Sequence, residues 1–259
     1  MLVDTHVHLL TSKTSRPDWG EIAYTFFAAR EKNIDVLCLT EHRDAVGFEE
    51  LYLELFSENR FGGEVKPNGT LTLSSGITIS PGAEVSLSGG GDMGVHTDLS
   101  TVMGFDRRKN SYTAAELLKL LSEGGSGYVS VAHHLLLDGK WWRDFEQVIG
   151  HVDAIEVPGK QATSMVSYLE LANRYSKGQL SGSDAHTWVQ LGAGLTLIKE
   201  GEMTHGGERL FDVFELKKLV VEHETVPCVS DVADELIKIS KIYKARSTWV
   251  HSLGEGYEY

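Results

Sequence analysis

Cysteine is nearly absent from this 259-residue chain: there are two, Cys38 inside an apolar run and Cys228 after a proline. Neither their number nor their spacing supports a disulfide framework, so a reducing cytoplasm is the expected compartment. The same scarcity argues against a structural zinc site built on thiolates. Hydrophobic runs of membrane-spanning length are missing, as is a charged leader with an apolar stretch behind it, and no membrane association is expected. Basic residues are outnumbered, 24 Lys and Arg against 37 Asp and Glu, for a formal net charge of −13. That balance offers no global footprint for nucleic acid or an anionic membrane. Bound cations would nevertheless add positive charge where carboxylates cluster, so a nucleic-acid substrate is weakened rather than excluded. Internal repeats, low-complexity segments and an interdomain linker are also lacking. With 41% hydrophobic side chains the chain can bury a large core, and one domain over 1–259 is expected.

What the sequence does have is five separated clusters of metal-ligating side chains: His6-Val7-His8, Glu41-His42, Glu84 with His96 soon after, His133-His134, and Asp184-Ala185-His186. Most follow or end an apolar run that reads as a strand. Side chains two apart on a strand share a face, so His6 and His8 can grip one cation, and Asp184 with His186 repeats that geometry. Nitrogen and oxygen donors without thiolate suit Zn²⁺, Mn²⁺, Fe²⁺ or Mg²⁺. The pattern predicts a multi-metal site.

Apolar runs at 2–9, 34–40, 77–85, 128–132, 154–157 and 191–198 read as strands, with a hairpin through 70–73. Helical periodicity appears at 22–30, 48–56, 113–121, 142–149, 162–175 and 210–222. The stretch Ser88-Gly89-Gly90-Gly91-Asp92 reads as a loop. Alternating strands and helices predict a mostly parallel α/β sheet or barrel, and chemistry at the C-terminal ends of strands fits a barrel best.

These motifs, in this order, resemble the PHP family, the polymerase and histidinol phosphatase phosphoesterases. The resemblance runs over nearly the whole chain: His6-Val7-His8, Thr40-Glu41-His42 (where the family usually has Thr-Asp-His), Pro81-Gly82-Ala83-Glu84, Val131-Ala132-His133, Ile155-Glu156-Val157 and Gly182-Ser183-Asp184-Ala185-His186. It implies a distorted (β/α)7 TIM-like barrel with two or three divalent ions at the C-terminal ends of the strands. By motif, His6, His8, Glu84 and Asp184 would hold one ion, Glu84 bridging to a second held by His96 and His133, while His42 and His186 would help hold a third. The family usually places a further ligand shortly after the first His-x-His. In this chain that stretch is longer, and Asp18 is the candidate. The implied activity is hydrolysis of a phosphomonoester, a small metabolite or a nucleotide, with a phosphodiesterase or nuclease acting on nucleic-acid ends as the alternative.

For such a reaction Glu84, Asp184, Arg43 and His134 are the expected catalytic residues. Arg43, directly after His42, is the foremost candidate for a bidentate phosphate contact. Arg16 and Lys160 are further substrate-binding candidates, although a loop cation is usually only solvated. His134, Glu41 and Asp44 are candidate proton donors. On an extended backbone His134 would point away from His133, favouring packing. Glu156 fits a ligand-orienting role or a plain salt bridge equally, and Trp141, Trp142 and Trp188 flank the clusters as candidate stacking surfaces. His151, His205, His223 and His251 have no partner spacing and read as surface residues. Two rivals stand beside phosphoester hydrolysis: an amidohydrolase-type C–N hydrolase, whose usual mid-chain bridging Lys is not found in order, and a non-catalytic metal-binding module.

Overall fold

The computed structural model describes residues 1–199, 204–205 and 208–254, with backbone alone at 204–205, 208–209 and 247–254. The side chains of His205 and His251, read above as surface groups, lie outside the described residues.

The chain opens with β1 (Leu2–Val7), whose residues after Leu2 are all buried. Helix α1 (Trp19–Glu31) buries Ile22, Phe26 and Ala29, one stripe at helical spacing. It returns the chain to β2 (Val36–Leu39), which runs parallel to β1. Helix α2 (Phe48–Tyr52) continues into a π turn over Leu53–Ser57 that buries Leu55 and Phe56. A meander of β3 (Gly63–Val65), β4 (Leu71–Leu73) and β5 (Thr78–Ser80) follows, with β5 parallel to β2.

Next come β6 (Gly82–Ser86) and β7 (Asp92–Thr97), then α3 (Leu99–Gly104) and α4 (Ala114–Glu123), the last begun by a reciprocal Thr113–Glu116 capping box. Strand β8 (Tyr128–His133), α5 (Phe145–Val148), β9 (Ala154–Glu156), α6 (Met165–Arg174) and β10 (Gly178–Leu180) alternate as expected. The chain ends with β11 (Gly194–Ile198), the short β12 (Thr204–His205) and β13 (Glu208–Arg209), α7 (Val213–Val221), β14 (Thr225–Val229) and α8 (Ala233–Gly254).

The longer strands form two sheets, ordered β14-β11-β1-β2-β5-β4-β3 and β10-β9-β8-β7-β6. Single parallel bridges, Val7 to Ala185 and His42 to Glu84, join one sheet to the other. The fold is mixed α/β, as expected, and it departs from the expected mostly parallel, distorted (β/α)7 barrel in two respects. No continuous ladder closes a barrel among the described residues. Strand β7 is antiparallel to both neighbours, because the short loop between Ser86 and Asp92 can make a hairpin but is too short for a parallel crossover. Gly90 and Gly91 adopt positive φ in that loop, and a side chain on Gly91 would collide with Trp142. A large apolar cluster including Leu37, Leu39, Ile79, Ala83 and Val95 lies beneath the strand ends that carry the ligating residues. No helix among the described residues is long and apolar enough to cross a membrane.

Candidate metal centre

The predicted donors gather near the C-terminal ends of β1, β2, β8 and β10, with Glu84 at the middle of β6. His6 lies on β1 and His8 just beyond it, their Nε2 atoms 3.1 Å apart as the period-two reading requires. Asp184 Oδ1 stands 3.4 Å from His6 Nε2 and 3.2 Å from His8 Nε2, and Glu84 Oε1 is 3.5 Å from His6 Nε2. Donors held about 2.0–2.2 Å from one ion stand about 3–3.5 Å apart, so this set has the dimensions of a ligand cage. Among the described residues, three overlapping groups of metal-ligating side chains emerge: His6 with Glu84, His133 and His134; His6 with His8 and Asp184; and His8 with His42 and His186.

Glu84 is the hub. Its carboxylate faces His42 Nδ1 at 2.8 Å, His133 Nδ1 at 2.9 Å and His134 Nε2 at 3.1 Å. Burial pushes its pKa up, but the surrounding imidazoles outweigh that and hold it well below the usual carboxylate range. Asp184 is held low in the same way, with the Lys160 ammonium the foremost opposing charge. Lys160 Nζ donates directly to Asp184 Oδ2, so this candidate lies in the cluster.

His133 and His134 both reach Glu84, which corrects the expectation that neighbours on an extended strand must diverge. His134 has φ +31, a left-handed conformation that ends β8 and turns its ring inward. The ring of His133 fills the space above Gly94, where a Cβ would clash with it. His134 Nε2 abuts a shared carboxylate while Nδ1 is buried without a partner, which makes His134 a ligand candidate as well as a catalytic one.

Behind the donors stand two more buried carboxylates. Glu156 Oε1 accepts from His6 Nδ1 at 2.7 Å and its Oε2 from the His134 backbone N–H at 2.8 Å. This fixes the His6 tautomer and leaves Nε2 directed at Asp184 and Glu84, the arrangement by which outer carboxylates orient metal-binding imidazoles. Glu41 accepts from the Leu9 and Leu10 backbone N–H groups and stands 3.7 Å from His8 Nδ1. It shapes the turn that follows the His-x-His.

His96 is completely buried on β7. Its register partner is Gly82, two residues before Glu84, so it sits one layer below the hub. Neither ring nitrogen has a hydrogen-bond partner, and burial, with His133 and His6 nearby, lowers its pKa to about 3. A neutral imidazole with two orphaned nitrogens is costly in a core unless something else takes them. His96 belongs to none of the ligating groups; the nitrogen and oxygen character of those groups fits divalent cations.

Three candidates are placed elsewhere. Asp18 caps α1, its Oδ1 accepting from the Gly20 and Glu21 backbone N–H groups, and belongs to none of the ligating groups. The guanidinium of Arg43 is buried and donates to the carbonyls of Phe105 and Arg108. Arg16 is exposed and pairs with Glu50 at 2.7 Å. Of the tryptophans, Trp142 is fully buried in the core, Trp141 packs on Phe145, and Trp188 meets Tyr243 edge-on.

No family model matches the chain, and no curated protein does. Among solved structures, PsfC from Pseudomonas syringae PB-5123 is 36% identical over 95% of this chain and 98% of its own, with a TM-score of 0.86. The chain belongs to the PsfC family. In fold the chain is also similar to the lesion-specific endonuclease PfuEndoQ from Pyrococcus furiosus, at 17% identity over 86% of this chain and 56% of that one, TM-score 0.60. Endonuclease Q in complex with a 27-mer duplex carrying an abasic lesion matches similarly, at 15% identity over 88% and 58%, TM-score 0.60.

Sequence reasoning missed two contributors to the centre. Gly94 makes room for His133, and Gln190 donates from Nε2 to the carbonyls of Ser183 and Asp184 at 2.7 and 2.8 Å. Gln190 thereby holds Asp184 in its left-handed conformation, φ +50. Neither carries a signal in a single sequence, since both act through backbone geometry that only the fold creates.

Proposed function

We propose that the chain is a metal-dependent phosphoesterase acting at the cluster of His6, His8, Glu84, His133 and Asp184, with His42, His96, His134 and His186 completing it. The observation that carries this reading is the convergence on one point of imidazole and carboxylate donors from opposite ends of the sequence, two buried carboxylates backing them. When bound, two or three divalent ions such as Zn, Mn, Fe or Mg supply an activated water and offset phosphate charge. Glu156 and Glu41 keep the His6 and His8 rings in the ligating orientation. The Lys160 ammonium, already against Asp184, is placed to hold a non-bridging phosphate oxygen.

A phosphomonoester, small metabolite or nucleotide, is the first-ranked substrate because the chain carries a formal charge of −13. The second reading, cleavage of a nucleic-acid phosphodiester, draws on the likeness of fold to PfuEndoQ and Endonuclease Q. The test is hydrolysis of p-nitrophenyl phosphate beside bis-p-nitrophenyl phosphate by protein reconstituted with manganese or zinc, with metal analysis and a His8→Ala control. Turnover lost in His8→Ala is expected, and the preferred ester separates the two readings. Bound metal without turnover of either ester, or of nucleic acid, would favour a binding module or C–N chemistry, and absence of bound metal would overturn the proposal.

A further inference from the structure

The loop between α3 and α4 lies against the end of β6 and carries Arg107, Arg108 and Lys109 in succession. Its backbone is pinned. The Asp106 N–H donates to the Tyr112 hydroxyl at 2.8 Å, Ser111 Oγ donates to the Asp106 carbonyl at 3.3 Å, and Tyr112 bridges to Leu87 just after β6. Between loop and strand is a small cleft lined by Arg43, Asp44, Ser86, Arg108, Lys109 and Asn110, with room inside for about one water-sized group. Arg43 ties this cleft to the hub of the centre, because its backbone N–H donates to the Glu84 carbonyl at 3.1 Å. Ser86 is two residues beyond Glu84 on β6 and shares its face, which puts the cleft about 7 Å from the hub. The carboxylates that border it are already matched, Asp44 by Lys13 at 2.9 Å and Asp106 by Arg108. Two cations are not. The Arg43 guanidinium donates to the carbonyls of Phe105 and Arg108, each at 3.1 Å, while its Nε is buried without a partner. Lys109 is exposed, and among the described residues no hydrogen bond or ion pair engages it. A buried N–H left unpaired is costly unless an acceptor takes it, and a chain with a formal net charge of −13 gathers uncompensated positive charge at few places.

Resting on the phosphoesterase reading, which puts the cleaved ester at the metal centre, we infer that this cleft is a subsite for a second anionic group of the substrate, a carboxylate or a second phosphate a short carbon chain away. One oxygen of that group accepts from Arg43 Nε–H inside the cleft, and another faces the Lys109 ammonium at its rim. Arg43 thus binds the remote group rather than the phosphate that is cleaved, and Lys109 is a specificity-determining residue. Because Tyr112 and Arg43 tie the loop to β6, the subsite and the centre keep a fixed spacing, and that spacing measures the length of the substrate.

The test gives the metal-reconstituted full chain propyl phosphate, 3-phosphooxypropanoate and propane-1,3-diyl bisphosphate, reading turnover and, by calorimetry, binding. The wild type is expected to favour an ester bearing the second anion by about tenfold in KM, the scale of one charge-assisted hydrogen bond. Lys109→Gln should cut that preference by about threefold, the scale of one exposed ion pair, and Lys109→Arg should keep most of it. Arg43→Lys, which retains the charge and loses the Nε donor, should cut it further. The reading is the ratio of KM values between esters, so a variant that merely folds less well, and loses equally on all three, is not mistaken for one that has lost the subsite. The carboxylate and bisphosphate arms tell which anion is taken. Equal KM for all three esters in the wild type would overturn the inference, as would a preference that Lys109→Gln and Arg43→Lys both leave intact. Binding with the expected preference but without turnover would support the subsite while defeating the phosphoesterase reading. No binding of any ester would defeat both.

Discussion

At the scale of single residues, the centre is organised by one carboxylate and by a missing side chain. Glu84 meets three imidazoles within 3.1 Å, and one of these, His133, can do so because position 94 carries no Cβ. Gly94→Ala would therefore displace the His133 ring. We expect metal content or affinity to fall about 10–100-fold, the range seen when the support of a ligand is lost, with the far-ultraviolet spectrum retained. Unchanged metal binding in Gly94→Ala would mean that His133 is not a ligand. The period-two pair His6 and His8 was legible because strand geometry makes a local rule, whereas Asp184 has a left-handed φ and joins a different ligating group from His186. Arg43 directly follows His42 but opens a turn closed by the Ala45 N–H on the His42 carbonyl, and its guanidinium is taken by the carbonyls of Phe105 and Arg108. His134 escaped the same rule through its left-handed φ, which no sequence periodicity announces.

Elements that alternate cleanly, from β8 through β10, were readable from apolar runs. Strand β7 was not, because Gly94 and the glycines of the preceding turn dilute its pattern. It was not read as a strand, although His96 sits on it. Helix α8 was missed because its periodicity is weak; Ile239 and Ile242 are exposed on it. Asp18 shows how an element can claim a residue that a motif would have used: as the N-cap of α1 it satisfies two backbone N–H groups. Asp18→Ala should cost about 1 kcal/mol of stability, the usual loss of a cap, and leave metal stoichiometry unchanged. A loss of one bound ion in that variant would return Asp18 to the ligand set.

For the whole molecule, the concentration of buried imidazoles sets how stability responds to pH. Burial is the main influence lowering His6 to about 4 and His96 to about 3. Both titrate near 6.5 in the unfolded chain. A depressed folded pKa contributes stability that is present above 6.5 and lost as pH falls toward 4. For His8, burial acts downward, but Asp184 and Glu41 overcome it and raise the pKa to about 10. That contribution is complete below 6.5 and disappears as pH rises toward 10. The metal-free protein should accordingly have its highest Tm near neutrality, declining on both sides, by scanning calorimetry in the presence of chelator. A Tm that is flat from pH 4 to 6.5 would contradict the burial of neutral His6 and His96. The mixed α/β class and the gathering of donors at one end were legible in the sequence. The division into two sheets was not, because it depends on where continuous ladders give way to isolated bridges, at Val7 to Ala185 and His42 to Glu84, and no local pattern announces that.

The single bridges between those sheets fall at Val7 to Ala185 and His42 to Glu84. Val7 lies between His6 and His8, Ala185 between Asp184 and His186, and the other bridge is made by two donors themselves. These two backbone joints thus coincide with the cluster of donors. A cation there would act as a rivet through both seams, so that loading the centre and locking the sheets together become the same event, and slow amide exchange along the seams would report occupancy.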